Sequence, residues 1–139
     1  MNFLLNHGLL IDTKEHFDHA PTQGVLFQLK VLLTFAAETM IQQEIHPNFL
    51  SIMAINSMHD EISNKHPNFF KCMTDGAAFT FYCLAMDREG DVDENIGEAF
   101  AMLVGAKEDR DLYISIGKKV WDEGCRIVKE EIEKFNFVK

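Results

Sequence analysis

The sequence predicts an all-α protein that forms one domain over residues 1–139. Only three prolines and eight glycines interrupt the chain, so long stretches are free to form regular structure. No stretch shows the strict alternation of apolar and polar residues that is typical of a half-buried strand. Near the C-terminus, apolar residues recur at helical spacing from about Glu108 to Phe135, which indicates one long final helix.

Four helices are expected in the first two thirds of the chain. Residues 2–11 are apolar enough for a short first helix, and a proline then opens a long helix over residues 21–44. Proline is tolerated at such a position because the first helical turn does not use its missing N–H. The sequence His-Pro-Asn-Phe occurs twice, and it starts the next two predicted helices, over residues 46–63 and 66–87.

The last third of the chain begins with an acidic loop, residues 87–98, which leads into a helix that ends near Val104. In the final helix the apolar residues follow one another in steps of four and three: Trp121, Cys125, Val128, Ile132 and Phe135. This heptad seam is typical of long helix–helix contacts. It predicts either packing within the chain or a homodimer through the C-terminal helix.

Two segments are more apolar than a surface helix requires. Residues 24–37 carry one charge and residues 76–86 carry none, and neither segment confines its apolar side chains to one stripe. The excess apolar surface must be covered by the domain core, by a second copy of the chain or by a bound apolar molecule. We expect the two segments to face each other at the centre of the domain, with a ligand as the third component.

Charge and sequence motifs exclude several classes of protein. The net charge of −9 argues against binding to nucleic acid or to an anionic membrane. No signal peptide and no uncharged run long enough to span a membrane is found, so a cytoplasmic location is expected. Phosphate-binding, dinucleotide-binding and nucleophile motifs do not occur. The sequence therefore predicts a protein that is not an enzyme.

The acidic loop has side chains at several positions of a calcium-binding loop: Asp87, Glu89, Asp91, Asn95 and Glu98. However, Val92 stands where the sharp turn of such a loop needs glycine. Acidic residues also favour the N-terminus of a helix, where the helix dipole is positive. We therefore predict a solvated loop before a helix and no metal site.

Lys30 is unusual because it lies in the middle of the apolar segment 24–37. A buried ammonium group needs a partner, unless its stem covers the core while its head reaches water. The alternative is a cation that meets a ligand carboxylate at the mouth of an apolar tunnel. Lys71 and Arg88 are weaker candidates for the same role.

One part of the chain resembles the globins. His59 is followed by Pro67-Asn68-Phe69 and then by an apolar helix containing Cys83-Leu84-Ala85, in an order similar to the proximal-histidine helix and the helix after it. The long C-terminal helix is similar to the last globin helix. The globin resemblance implies, as one alternative, a haem-binding sensor in which His59 binds the iron.

A closer resemblance is to the haem-free sensor globins, which are similar to the sensor domains of sporulation histidine kinases. It implies a globin-like fold, a homodimer built on the last helices, and a fatty acid in an apolar tunnel. The expected function is a non-catalytic sensor that modulates such a kinase. Lys30 would hold the carboxylate, supported by Thr34 and Tyr82. The walls of the tunnel would be formed by bulky phenylalanine and methionine side chains that can adapt to a flexible acyl chain: Phe27, Met53, Met73, Phe79 and Met86. A ligand-free interaction module remains a further alternative.

Overall fold

The computed structural model of the protein describes residues 22–136, and within that range it contains six helices and no strand. The all-α prediction with a long C-terminal helix is therefore confirmed. The predicted helix over residues 2–11 and the predicted start at Pro21 lie outside the described residues. The helices are α1 Gln23–Glu44, α2 Asn48–Lys65, α3 Pro67–Asp75, α4 Ala78–Asp87, α5 Val92–Leu103 and α6 Arg110–Asn136.

Helix α1 occupies the centre of the fold. Thr22 caps it by accepting a hydrogen bond from the backbone N–H of Val25 at 3.3 Å, which satisfies one of the free donors of the first turn. Every residue from Val31 to Ala37 is buried, because α1 is in contact with α2, α4, α5 and α6. By length and composition α1 could span a membrane, but 61% of that apolar stretch is buried by the rest of the protein.

Helix α6 lies against α1 and α5, and its heptad seam packs within the chain. Trp121 and Val128 are buried in the core, and Cys125 and Ile132 are half-buried against it. Burial, together with nearby acidic groups, raises the pKa of the Cys125 thiol to about 12. The side chain of Phe135 is outside the described part of the structure. The sequence left open whether this seam packs within the chain or forms a homodimer contact, and its described residues pack within the chain.

Two glycines allow α5 and α6 to touch backbone to backbone. A Cβ atom on Gly97 would lie 2.5 Å from the carbonyl oxygen of Ile114, and one on Gly117 would lie 2.8 Å from the Cβ of Phe100. Nearby, the indole Nε1 of Trp121 donates a 3.0 Å hydrogen bond to Asp93. The crossing of α5 over α6 is therefore fixed by close packing and by a polar contact.

The predicted helix over residues 66–87 is in fact two helices, α3 and α4, which are separated at Gly76. The N–H of Gly76 still bonds the carbonyl oxygen of Cys72, but its backbone then becomes extended and the helix ends. Glycine favours such an end because it loses more conformational freedom in a helix than other residues do. The prediction missed this break.

The described residues cover only part of the apolar surface of residues 76–86. Tyr82 and Ala85 are buried, whereas Phe81 is 39% exposed and Leu84 is 61% exposed. Helix α4 does meet α1 at the centre, where the ring of Phe35 contacts the ring of Tyr82 at a centroid distance of 5.3 Å. The outer face of α4 is left apolar and uncovered by the described residues.

Candidate functional site

The residues predicted to hold a ligand carboxylate have other partners in the structure. The Nζ atom of Lys30 lies 6.0 Å from the ring centroid of Phe69 in α3, a cation–π contact. The hydroxyl of Thr34 donates a 2.8 Å hydrogen bond to the carbonyl oxygen of Lys30. Tyr82 is completely buried, and its ring packs against the ring of Phe35. These three side chains therefore do not converge on one head-group site.

The predicted wall residues are divided among different environments. Phe27 packs edge-on against Phe69, and Met73 is buried in the core. Phe79 and Met86 line a depression of about 440 Å³ between α1 and α4. Met53 is 60% exposed on α2, which corrects its assignment to a tunnel wall. Its helix has apolar side chains on two opposite faces, and only one face meets the core.

His59, the candidate haem ligand, points at an acidic side chain of α1. Its Nε2 atom lies 2.8 Å from a carboxylate oxygen of Glu38, and its ring is edge-on to Phe70. Burial raises the pKa of Glu38, and the adjacent His59 partly offsets that increase. A proximal histidine must present a free ring nitrogen to the iron. The position of His59 therefore suits an internal polar contact better than haem binding.

The segment between α4 and α5 is organised around the side chain of Asn95. The buried side-chain amide of Asn95 donates to the carbonyl oxygens of Ala85, Arg88 and Glu89 at 3.2–3.3 Å. Its own oxygen accepts a 2.8 Å hydrogen bond from the Arg88 guanidinium. Asn95 thus joins the end of α4 to the start of α5, and it holds Arg88 in place.

A groove with an apolar floor lies between α4 and α5, and we call it the α4–α5 groove. Its volume is about 400 Å³, and its apolar lining includes Phe81, Leu84, Ala85, Ala99 and Met102. Leu84 and Met102 are both more than half exposed, although large apolar side chains are usually covered. This groove is the feature of the described surface best suited to an apolar ligand.

Three cations border the α4–α5 groove: Arg88, Lys107 and Arg110. One carboxylate, that of Glu98, serves both arginines, at 3.3 Å from Arg88 and 3.9 Å from Arg110. Lys107 forms no ion pair with the rest of the described chain. Among the residues that line the groove, three cations stand against one carboxylate, in a protein whose net charge is −9. An anionic group at this rim would meet charge-assisted donors.

The turn after α5 brings Lys107 to the groove. Gly105 has a φ of 76°, a left-handed conformation that glycine adopts without strain. The N–H of Gly105 bonds the carbonyl oxygen of Met102, and the N–H of Ala106 bonds that of Ala101. These two bonds form a Schellman motif, which ends the helix and reverses the chain. Lys107 and Arg110 follow directly and complete the rim.

Sequence reasoning found one of the three rim cations, Arg88, as a weaker candidate, and it missed Lys107 and Arg110. The usable signal was the Gly-Ala-Lys sequence after an apolar helix, since glycine there predicts a helix end with a cation beyond it.

Comparison with protein-family models, with curated proteins and with solved structures found no match. The site is therefore interpreted from its own geometry.

Tyr82 offers a test of the core beside the groove. Its hydroxyl has no hydrogen-bond partner in the described structure, and burial raises the pKa of this phenol above its ordinary value. Tyr82→Phe is expected to raise the free energy of unfolding by about 1 kcal/mol, because a desolvated hydroxyl without a partner is costly. Urea unfolding followed by circular dichroism measures this change. A loss of stability of similar size would show that the hydroxyl is satisfied.

Proposed function

We propose that this protein is a non-catalytic cytoplasmic sensor that binds a fatty acid or a similar anionic amphiphile in the α4–α5 groove. The observation that carries the proposal is an exposed apolar floor bordered by three cations in an otherwise acidic chain. The proposal keeps the ligand class expected from the sequence and moves its site away from Lys30. The resemblance of this acidic chain, rich in Met and Phe, to the haem-free sensor globins supports a sporulation-type histidine kinase as the downstream partner.

The two ends of such a ligand would be held by different forces. Each methylene group that leaves water for the floor formed by Phe81, Leu84 and Met102 contributes about 0.8 kcal/mol. The carboxylate would lie against Lys107, with Arg88 and Arg110 beside it. Because Glu98 already serves both arginines, Lys107 is the cation with the most to gain from a bound anion.

Palmitate below its micelle concentration is a direct probe of the groove. It is expected to raise the Tm of the protein, since a ligand that binds only the folded state stabilises it. Hexadecyltrimethylammonium, which has a saturated tail of nearly the same length and a cationic head, is expected to give a much smaller shift. Leu84→Asp should abolish the palmitate shift by placing a carboxylate on the apolar floor. No shift with palmitate, or an equal shift in Leu84→Asp, would reject the groove as the site.

The head-group contact has its own matched pair of variants. Lys107→Glu is expected to weaken palmitate binding about tenfold or more, because it replaces an attraction with a repulsion. Lys71→Glu makes the same change of charge on the exposed face of α3 and should leave binding unchanged. Isothermal titration calorimetry measures both. Loss of binding in Lys30→Gln with binding retained in Lys107→Glu would return the site to the tunnel predicted from the sequence.

A further inference from the structure

The rim of the α4–α5 groove carries more positive charge than one carboxylate head group would neutralise. Three cations, Arg88, Lys107 and Arg110, stand against the carboxylate of Glu98, so the lining has a formal charge of +2. A bound fatty acid would bring one negative charge and would leave the other positive charge unmatched. The rim therefore favours a head group with a charge of about −1.5 to −2, which is the charge of a phosphate monoester near pH 7.

The acidic residues that adjoin these cations in the chain are placed outside the groove. They are exposed and are not part of its lining, so water and salt weaken their interaction with a bound anion: Asp87, Glu89, Glu108, Asp109 and Asp111. Glu98 is different, because it lines the groove and its side chain is 34% exposed. It is the anion with which a bound head group has to compete.

Both arginines keep donors for a ligand. Each reaches the same oxygen of Glu98, Oε2, through its Nη2 atom, and Nη2 of Arg88 also donates to Asn95 at 2.8 Å. A guanidinium group carries N–H donors on each of its nitrogens. No described residue accepts a hydrogen bond from Nε or Nη1 of Arg88 or Arg110. The contacts with Glu98 therefore leave part of each guanidinium group available to a second anion.

The three cations approach the groove from three different parts of the fold. Arg88 directly follows α4, Lys107 lies in the turn after α5, and Arg110 is the first residue of α6. A phosphate monoester has three terminal oxygens that accept hydrogen bonds, one for each cation, whereas a carboxylate has two. Guanidinium groups also bind phosphate through two parallel hydrogen bonds. A phosphate head group thus matches the rim in the number of its oxygens as well as in charge.

We infer that the ligand of the α4–α5 groove is a single-chain amphiphile whose head group is a phosphate monoester. This inference rests on the proposed function, because it specifies the head group of a ligand in the same groove. The volume of about 400 Å³ lies toward the lower end of the range of about 300–1,000 Å³ that is usual for ligand pockets, which suits one acyl chain better than two. A fatty acid binds the same groove less tightly.

Isothermal titration calorimetry of the full chain near neutral pH compares dodecyl phosphate with dodecanoate, each below its micelle concentration. Dodecyl phosphate is expected to bind about tenfold more tightly, because its second charge meets the cation that a carboxylate leaves unmatched. Inorganic phosphate has the head group without the tail. It should bind at least about 100-fold more weakly than dodecyl phosphate, since the apolar floor adds nothing to its affinity.

The possible outcomes separate this inference from the proposed function. Dodecanoate that binds as tightly as dodecyl phosphate would overturn the inference and leave the proposed function standing. Inorganic phosphate that binds as tightly as dodecyl phosphate would show a site for a free anion, which also overturns the inference. If neither dodecyl compound binds, both the inference and the proposed function are wrong.

Two substitutions change the charge of the rim in opposite directions. Arg110→Gln is expected to weaken binding of dodecyl phosphate about tenfold and that of dodecanoate only about threefold, because the dianion loses more attraction. Glu98→Gln removes the competing carboxylate, so it should strengthen binding of dodecyl phosphate more than binding of dodecanoate. Circular dichroism shows whether each variant is folded.

Arg126→Gln is the matched control for these variants. It makes the same substitution as Arg110→Gln on the same helix, but Arg126 is not part of the groove lining and pairs with Glu130 at 3.2 Å. It should bind both dodecyl compounds as wild type does. A preference for dodecyl phosphate that is unchanged in Arg110→Gln, or lost equally in Arg126→Gln, would contradict the assignment of the head group to this rim.

Discussion

Gly97→Ala is expected to lower the free energy of unfolding by about 2 kcal/mol. The added methyl group would lie 2.5 Å from the backbone oxygen of Ile114 and 2.8 Å from the side chain of Lys118. Lysine can move, but the carbonyl of Ile114 is part of α6 and cannot move without separating the two helices. Overpacking costs about 1–3 kcal/mol, a clash with backbone lies at the upper end of that range, and the better helix propensity of alanine recovers about 1 kcal/mol, which leaves about 2 kcal/mol.

Gly24→Ala is the matched control for this prediction. A Cβ atom on Gly24 has nothing within 4 Å, so alanine gains helix propensity there without a clash. We expect a stability equal to wild type or higher by about 0.5 kcal/mol. Urea unfolding followed by circular dichroism, with fluorescence of Trp121, the only tryptophan, measures both variants. A Gly97→Ala protein as stable as wild type would mean that α5 and α6 are farther apart than described.

Asn95→Ala is expected to cost about 3 kcal/mol, the other large effect. The substitution removes the donor shared by the carbonyl oxygens of Ala85, Arg88 and Glu89, and it leaves a small cavity where the amide was buried. A buried polar group that loses its partner costs about 1–3 kcal/mol, and the cavity adds to this. Arg88 also loses the acceptor that orients it, so palmitate binding should weaken in the same variant.

Asn95→Asp and Asn64→Ala separate the possible causes of that loss. Asn95→Asp keeps the size of the side chain but turns an acceptor toward the carbonyl oxygens, so it should be at least as destabilising as Asn95→Ala. Asn64 is exposed near the end of α2, and Asn64→Ala should change stability by less than about 0.5 kcal/mol. A well-tolerated Asn95→Asp would show that size, and not hydrogen bonding, determines the role of this residue.

The helical architecture was predictable because its signals are local. Helical spacing of apolar residues located α2 and the long α6 to within a few residues, and Pro47 marked the start of α2. The break at Gly76 was missed because one glycine costs only about 1 kcal/mol in a helix, so tertiary packing decides whether the helix continues. Local sequence therefore predicted which segments are helical, but it did not predict the position at which one of these helices is interrupted.

The site was harder to predict, because packing between distant segments decides which side chains are buried and which ones come together at one place. Met53 belongs to a helix that is apolar on two faces, and periodicity alone does not tell which face is covered. Lys30 stands out in an apolar sequence, but the ring of Phe69 that lies near it comes from another helix. Arg88 and Lys107 become neighbours across one groove only after α4 and α5 have packed together.

The central position of α1 has a consequence for synthesis on the ribosome. This helix is completed early, yet one of its principal partners, α6, is the last described helix to be made. At a translation rate of roughly 5–20 residues per second, the delay between the two is on the order of 10 s. During that interval the most apolar helix of the protein is incompletely covered, and a chaperone or another nascent chain can bind it. The order of the helices therefore exposes the future core to aggregation before folding is complete.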